Sequence, residues 1–419
     1  MLIEFNVTNF RSIKGTQTLS LAADSAKELQ EENTFSSELS QLPRLVKSAA
    51  IYGANAAGKS NLIRAIAFMH EFVKNSAKNC EEDEPINVKP FLLKPNNLPS
   101  EFEAIFIKEG VQYQYGFALT KERVMHEWLF ANEEQWLERT YDPQTQQQNW
   151  TLSDKLINGM DLREQWKAVT HYKALFISTA KMLNSEEHSK ILKSIFDWFT
   201  QTLTVFSSGS DILNSLTLKQ CLNTANKQKI VRFLTSANLN IVDLRIESQL
   251  TTEKDLPLTL PLEMRPAGKN TIKFLHNETD TNNYVAFDAD DESEGTRKLF
   301  ALAGPLINIL ESGHILVVDE LNNSLHPTMM QFLIRLFHNH TLNKRGAQLI
   351  FTTHDSSILD QTLLRRDQIW LIQKDHEQAT QLYPLTDFRP RQNEALQRDY
   401  LEGRYGALPS IVGLTFNGN

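Results

Sequence analysis

The residues from Gly53 to Ser60 read Gly-Ala-Asn-Ala-Ala-Gly-Lys-Ser and satisfy the pattern G-x-x-x-x-G-K-[ST]. The chemistry of that spacing is phosphate binding. Gly53 and Gly58 let the backbone wrap an anion, and the N–H groups of the loop and of the helix that follows meet its negative charge. Lys59 reaches the outer phosphates, and Ser60 can ligate Mg²⁺. A metal-bound triphosphate also needs an acid to hold the metal's water shell. Ile315-Leu-Val-Val-Asp319-Glu320 supplies one at the end of an apolar run. There Asp319 would orient the ion, and Glu320 would polarise a water in line with the terminal phosphate. Acids after a strand usually just solvate a loop, so this pair takes its meaning from the Lys59 motif.

Two further elements extend the pattern. Ser293-Glu-Gly295-Thr296 begins a helix, with Ser293 lying 26 residues before Asp319. A serine N-cap and a glycine at a helix start make a second anion site, which the Gly53 loop does not itself need. Phe351-Thr-Thr-His354-Asp355 ends a strand, with His354 lying 35 residues after Asp319, where an imidazole could meet the terminal phosphate. Taken alone, a strand-end histidine is more often satisfied by its neighbours. His171, His188, His276, His326, His338 and His340 show no metal-ligand spacing tied to a carboxylate pair, so no zinc site is assigned.

The elements that must position these residues follow from periodicity. Leu2, Ile3, Phe5 and Val7 alternate as a strand, Leu19 and Leu21 belong to a second, and Gly15 turns between them. Residues 22 to 44 are polar and read as a loop. Leu45 to Tyr52 is a compact β run, and Leu62, Ile63, Ile66, Met69 and Val73 fall on one helical face, which gives strand, glycine loop, helix. Residues 78 to 101 read as a connecting loop. From Phe102 to Tyr141 the period is two, with breaks near Glu109-Gly110 and Thr120-Lys121, which predicts an antiparallel meander whose aromatics are core, not a base-stacking platform. Residues 154 to 235 are mostly helical, without a sustained heptad, and a polar stretch follows at 251 to 270. The end alternates strand and helix: strands at Thr271 to Leu275, Tyr284 to Phe287, Ile315 to Val318, Gln348 to Thr352 and Gln368 to Gln373, helices at about 296 to 311 and 327 to 340.

Composition excludes other classes. A chain of 419 residues with 41% hydrophobic residues can bury a large core. Forty-three Lys+Arg against 51 Asp+Glu leave a net charge of −8, which argues against a surface that coats nucleic acid, although a local basic stripe would permit contact with it. Cys80 and Cys221 form no C-x-x-C, which places the chain in a reducing cytosol without a disulfide framework. No apolar run reaches the length of a membrane span, and the start MLIEFNVTNF does not read as a signal peptide.

In type and order these motifs resemble the ABC/SMC/RecF class of ATPases: Walker A, a signature Ser-x-Gly, Walker B with a following Glu, and a switch histidine. Within that class the chain is most similar to the stand-alone prokaryotic ATPases of the RloA, AriA and PtuA type. The stretches that carry the similarity are LIEFNVTNFRSIKGTQTLSL, YGANAAGKSNL, ESEGTRKLFALAGPL, VVDELNNSLHP, IFTTHD and YLEGRYGALPSI. The resemblance implies an α/β P-loop ABC-type ATPase head with an antiparallel β subdomain and a mostly helical insertion. The head would comprise residues 1–145 and 271–419, and the insertion residues 146–270. It implies ATP and Mg²⁺ as ligands. Gly53, Asn55, Gly58, Lys59, Ser60 and Asn61 would hold the nucleotide in one chain, with Arg11 as a further contact; Ser293, Gly295 and Thr296 would complete the site of a partner chain. Ser60 and Asp319 would hold the metal, and Lys59, Glu320 and His354 would be catalytic. One departure is Asn322, where the family usually has an acid in the loop that crosses the dimer interface.

The resemblance further implies a head-to-tail homodimer sandwiching ATP. Such a dimer acts in antiphage defence with a separately encoded effector, often a TOPRIM-like or HNH nuclease. The insertion and the tail around Arg404-Tyr405-Gly406 are the docking surfaces this implies. A RecF-like DNA-binding repair clamp is the alternative, and a dense basic stripe would favour it. The sequence shows none.

Overall fold

Alternating apolar residues in the first part of the chain build one antiparallel sheet of seven strands, ordered β10-β9-β8-β7-β6-β1-β2. Its strands are β1 (Leu2–Thr8), β2 (Gln17–Ser20), β6 (Ser100–Lys108), β7 (Val111–Leu119), β8 (Val124–Ala131), β9 (Glu134–Asp142) and β10 (Gln147–Leu152). The N-terminal strands therefore belong to the same sheet as the meander. The structure, a computed structural model, describes residues 1–78, 84–93, 98–183, 189–206, 210–248, 270–279, 283–391 and 394–409. Cys80 and most of the polar stretch at 251 to 270 lie outside these residues.

A second sheet carries the glycine loop. Its strands are β5 (Ser48–Tyr52), β11 (Leu203–Phe206), β15 (Ile315–Val318), β16 (Gln348–Thr353), β17 (Ile369–Lys374) and β18 (Thr380–Pro384), in the order β11-β15-β16-β5-β17-β18. All pairs except β17 with β18 are parallel. Every residue of β5, β15 and β16 is buried, as expected of parallel strands covered on both faces. Because these strands run the same way, the loops after β5, β15 and β16 emerge at one edge of the sheet, where ligands bind in such folds. Helix α2 (Lys59–Asn75) follows β5 and buries Leu62, Ile63, Ile66, Met69 and Val73, the face its spacing predicts.

The remaining elements of this part are α1 (Gln30–Asn33), β3 (Thr34–Ser36), β4 (Arg44–Val46), α3 (Met160–Val169), α4 (Phe176–Met182) and α5 (Lys190–Asp197). The apolar run at 45 to 52 is two strands, not one. The chain changes sheets at Lys47, with Arg44–Val46 pairing with Thr34–Ser36 and Ser48–Tyr52 with Gln348–Thr353; the Lys47 side chain is buried and its Nζ donates to the Glu32 carbonyl at 2.5 Å. The aromatics of the meander are core, as expected. Phe102, Phe106 and Phe117 are buried, and Phe106 stacks on Trp198 with ring centroids 3.9 Å apart. Buried Glu127 fastens α4 to the meander by accepting from Tyr115 Oη at 2.9 Å and from the Phe176 N–H at 2.8 Å. Burial raises its pKa, although the Arg139 guanidinium, 3.7 Å away, pulls the other way. Strand β11, which joins the parallel sheet from within the segment read as helical, carries no period-two signal long enough to see.

The chain divides into two compact units: Met1–Ser207, Ser312–Asn322 and Leu333–Asn419 form the first, and Ser208–Glu311 with Asn323–Phe332 form the second. The second contains α6 (Ser210–Cys221), α7 (Thr224–Ser236) and an antiparallel sheet of β12 (Ile241–Ser248), β13 (Asn270–Asn277) and β14 (Tyr284–Asp288), followed by α8 (Glu294–Ser312). Helix α8 continues through Pro305, whose missing N–H leaves the Ala301 carbonyl without its helical donor. Thr217 Oγ1 supplies the bond instead, donating to that carbonyl at 2.8 Å from a fully buried position. The last helices are α9 (Pro327–His338) and α10 (Leu396–Leu401).

Candidate functional site

The loop between β5 and α2 is shaped by two close approaches. A Cβ on Gly53 would lie 2.3 Å from the Ile372 carbonyl oxygen, and one on Gly58, at φ 119°, would lie 2.2 Å from Thr380 Oγ1. Neither position accepts a larger residue without moving backbone or a buried side chain. Ala56 also has positive φ, at 63°. Lys59 is buried, and its Nζ donates to the carbonyls of Gly53 at 2.6 Å and Ala54 at 3.0 Å. Burial lowers its pKa, and the carboxylates of Glu320 and Asp319 partly offset that shift. The loop, the lysine and the acidic pair therefore share one electrostatic environment. Asn55 lies exposed on the loop and Ser60 is half-buried at the start of α2.

Thr352 organises the acids. Its Oγ1 donates to Asp319 Oδ1 at 2.7 Å and accepts from the Glu320 N–H at 2.7 Å, while its carbonyl accepts from the Leu321 N–H at 3.1 Å. The Asp319 N–H continues the β11 ladder by donating to the Phe206 carbonyl at 3.0 Å. Glu320 has φ 52°, so the chain turns sharply where Walker B ends. Sequence reasoning missed Thr352; its signal was position, since it sits one strand over from Asp319 near the end of β16. The hydroxyl of Ser60 and the carboxylate of Asp319 are hard oxygen donors, and a fixed carboxylate beside a phosphate loop is the donor set that suits Mg²⁺. Among the described residues no three His, Cys, Asp or Glu side chains cluster as a metal cage.

His354 is exposed at the end of β16, and the amide nitrogen of Asn322 lies 3.0 Å from its Nε2 and 3.2 Å from its Nδ1. Asp355 caps the turn that follows, with Oδ1 accepting from the Ser357 N–H at 2.9 Å. Arg11 stands in the β1–β2 turn at φ 53°, its Cζ 5.5 Å from the Phe10 ring and its Nε buried without a hydrogen-bond partner. Burial lowers its pKa, and the nearby charge of Arg64 adds to the effect. Asn61 donates from Nδ2 to Ser12 Oγ at 2.7 Å and accepts from Arg64 at Oδ1, so its amide ties α2 to the β1–β2 turn.

Ser293, Gly295 and Thr296 belong to the second compact unit. Ser293 is exposed and caps α8, its Oγ accepting from the Thr296 N–H at 3.1 Å. A Cβ on Gly295 would lie 2.9 Å from the Ser324 carbonyl, and Ser324 Oγ donates to Glu294 at 2.6 Å. The start of α8 and the turn at Ser324 thus form one local construction.

The C-terminal tail packs against the strand pair that precedes it. Tyr405 is buried, Tyr383 Oη donates to its carbonyl at 3.1 Å, and the Ala407 N–H donates to Gln373 Oε1 at 3.1 Å. The tail is sewn onto the β17–β18 pair; of its three named residues only Arg404 is exposed.

A glycine loop between a parallel strand and a helix, with a braced Asp-Glu pair at the end of another parallel strand, defines the P-loop ATPase class, here with the motif order of ABC/SMC-like proteins. Residues 48–360 match the family described as "AAA domain, putative AbiEii toxin, Type IV TA system", and the chain belongs to that family. No curated protein matches the chain. Similar solved structures include an SMC head bound to the C-winged helix domain of ScpA, at 12% identity, 91% coverage of this chain and 96% of that one, with a TM-score of 0.45. Another is the SMC head domain from Thermotoga maritima, at 14% identity, 91% and 98% coverage, with a TM-score of 0.42. No described helix is long and apolar enough to cross a membrane.

Proposed function

We propose that this chain binds ATP with Mg²⁺ in the Gly53–Ser60 loop and hydrolyses it within a head-to-tail dimer. The observation that carries this reading is the hydroxyl of Thr352, which at 2.7 Å from both partners fixes the Asp319 carboxylate and the Glu320 backbone in the electrostatic neighbourhood of Lys59. Backbone N–H groups of the loop bind the phosphates, with Asn55, Ser60, Asn61 and Arg11 at its rim. Lys59 exchanges its contacts with the loop carbonyls for the outer phosphates. A magnesium ion bound by Ser60 and Asp319 would neutralise charge on the phosphates. Glu320 accepts a proton from the attacking water, and His354 donates to the terminal phosphate. Ser293, Gly295 and Thr296, at the start of α8 where Ser293 is exposed and Thr296 buried, complete the site of the partner chain.

The dimer acts in the cytosol as a switch for a separately encoded effector in antiphage defence, with a TOPRIM-like or HNH nuclease as the expected class. The family's description as a putative AbiEii toxin of a type IV TA system supports a reading in which a second polypeptide shares the biology. The test is phage challenge of cells expressing this chain with and without its neighbouring gene, alongside Lys59→Ala. Protection that needs both genes and Lys59 supports the switch, and full protection by this chain alone overturns it.

A further inference from the structure

Behind the phosphate loop runs a chain of hydrogen bonds whose direction is fixed. Asn61 Nδ2 can only donate, and it donates to Ser12 Oγ at 2.7 Å. Thr380 Oγ1 donates to the Ala57 carbonyl at 3.0 Å. The 2.8 Å contact between Ser12 Oγ and Thr380 Oγ1 must then use the serine proton, because the threonine's only proton is spent on Ala57. The backbone repeats the link, with the Thr380 N–H donating to the Ser12 carbonyl at 2.7 Å. Thr380 is fully buried, and its side chain fills the space that a Cβ on Gly58 would occupy. An ion pair between Lys14 and Glu377 clamps the turn that carries Ser12 to the turn just before Thr380.

We propose that Thr380 and Ser12 are positioning residues for nucleotide binding, which aim the Gly58 N–H at a bound phosphate by holding the Ala57 carbonyl from behind. The reason is peptide planarity. In a trans peptide the carbonyl of Ala57 and the N–H of Gly58 point in opposite directions, so an acceptor drawn back onto Thr380 sends its partner donor to the opposite side. There a phosphate wrapped by the loop meets it. The relay rests on the reading of the Gly53–Ser60 loop as a nucleotide site, and adds to it two residues 368 positions apart in sequence that no motif joins.

The test is equilibrium titration of the full chain with a fluorescent ATP analogue and Mg²⁺, together with steady-state ATP turnover and thermal unfolding. Thr380→Val removes the hydroxyl. It is expected to weaken binding roughly tenfold, the worth of a hydrogen bond whose buried acceptor is left unmade, and to place the loss on KM more than on kcat. Thr380→Ser restores the hydroxyl without the methyl and is expected to bind within about twofold of wild type, which a packing role would not allow. Ser12→Ala, at a half-buried site, is expected to weaken binding roughly threefold and stands in if Thr380→Val unfolds. Wild-type affinity in Thr380→Val, or in a folded Ser12→Ala when the valine variant is unfolded, overturns the relay. Failure of Thr380→Ser to restore binding also overturns it. A wild-type chain that binds no more tightly than Lys59→Ala overturns the nucleotide reading itself, and the relay with it.

Discussion

The amide nitrogen of Asn322 lies 3.0 Å from Nε2 of His354, joining the residue after Walker B to the strand-end imidazole within one chain. The side-chain amide thus holds the ring from the loop that follows Asp319-Glu320. Asn322→Ala removes that amide and leaves the ring without it. ATP turnover should therefore fall in Asn322→Ala towards the level of His354→Ala, with little further loss in the double variant. Wild-type turnover in Asn322→Ala, or losses that simply add in the double variant, would show that the contact has no bearing on turnover.

Glu320 and Thr352 separate two functions of the acidic turn. Glu320→Gln should retain ATP affinity while turnover falls roughly a hundredfold or more, the loss expected on removing a general base. Thr352→Val leaves the Glu320 N–H without its side-chain acceptor and releases Asp319, so turnover should fall and stability drop by about 1 kcal/mol. Denaturant unfolding and single-turnover kinetics read the two effects apart. Near-normal turnover in Glu320→Gln would move the base elsewhere.

Composite sites make a separate claim. Ser293→Arg and Lys59→Ala chains, each inactive alone, should regain partial ATPase activity on mixing, because one of the two sandwich sites then pairs an intact P-loop with an intact signature. No recovery in mixed dimers that demonstrably form and bind ATP would count against the head-to-tail geometry.

Acid stability depends on a residue far from any phosphate chemistry. Burial, with Lys47 and Arg335 adding positive charge, pushes the His338 imidazole down from 6.5 to about 3, and its Nε2 lies 2.9 Å from Ser48 Oγ. Between those values the unfolded chain binds a proton that the folded chain refuses, so the folded state is favoured fully above pH 6.5 and loses that margin as the pH falls towards about 3. The melting temperature should drop on acidification from about pH 7 to about pH 5, and His338→Gln should flatten that drop. Identical slopes in the two proteins would place the acid sensitivity elsewhere.

What the sequence revealed and what it hid differ in physical kind. The glycine loop, the Asp319-Glu320 pair and the apolar face of α2 are local patterns, so reading along the chain finds them. Thr352, Thr380 and Ser12 make contacts between segments distant in sequence, and a lone hydroxyl has no spacing that distinguishes it. The apparently continuous strand divides at Lys47 because its two halves pair with different strands, which the apolar period cannot register. Pro305 would argue for a helix break, yet Thr217 from another helix satisfies the freed carbonyl. Strand β11 spans Leu203–Phe206 within a helical region, and its identity as a strand comes only from its parallel partner Ile315–Val318.

The most direct measurement is Mg²⁺-dependent ATP binding and turnover by the purified chain beside Lys59→Ala, a variant that takes the ammonium from the loop carbonyls of Gly53 and Ala54. Saturable ATP binding and hydrolysis by wild type, both lost in a folded Lys59→Ala, is the predicted result. Equal affinity and equal turnover in the two proteins would contradict it.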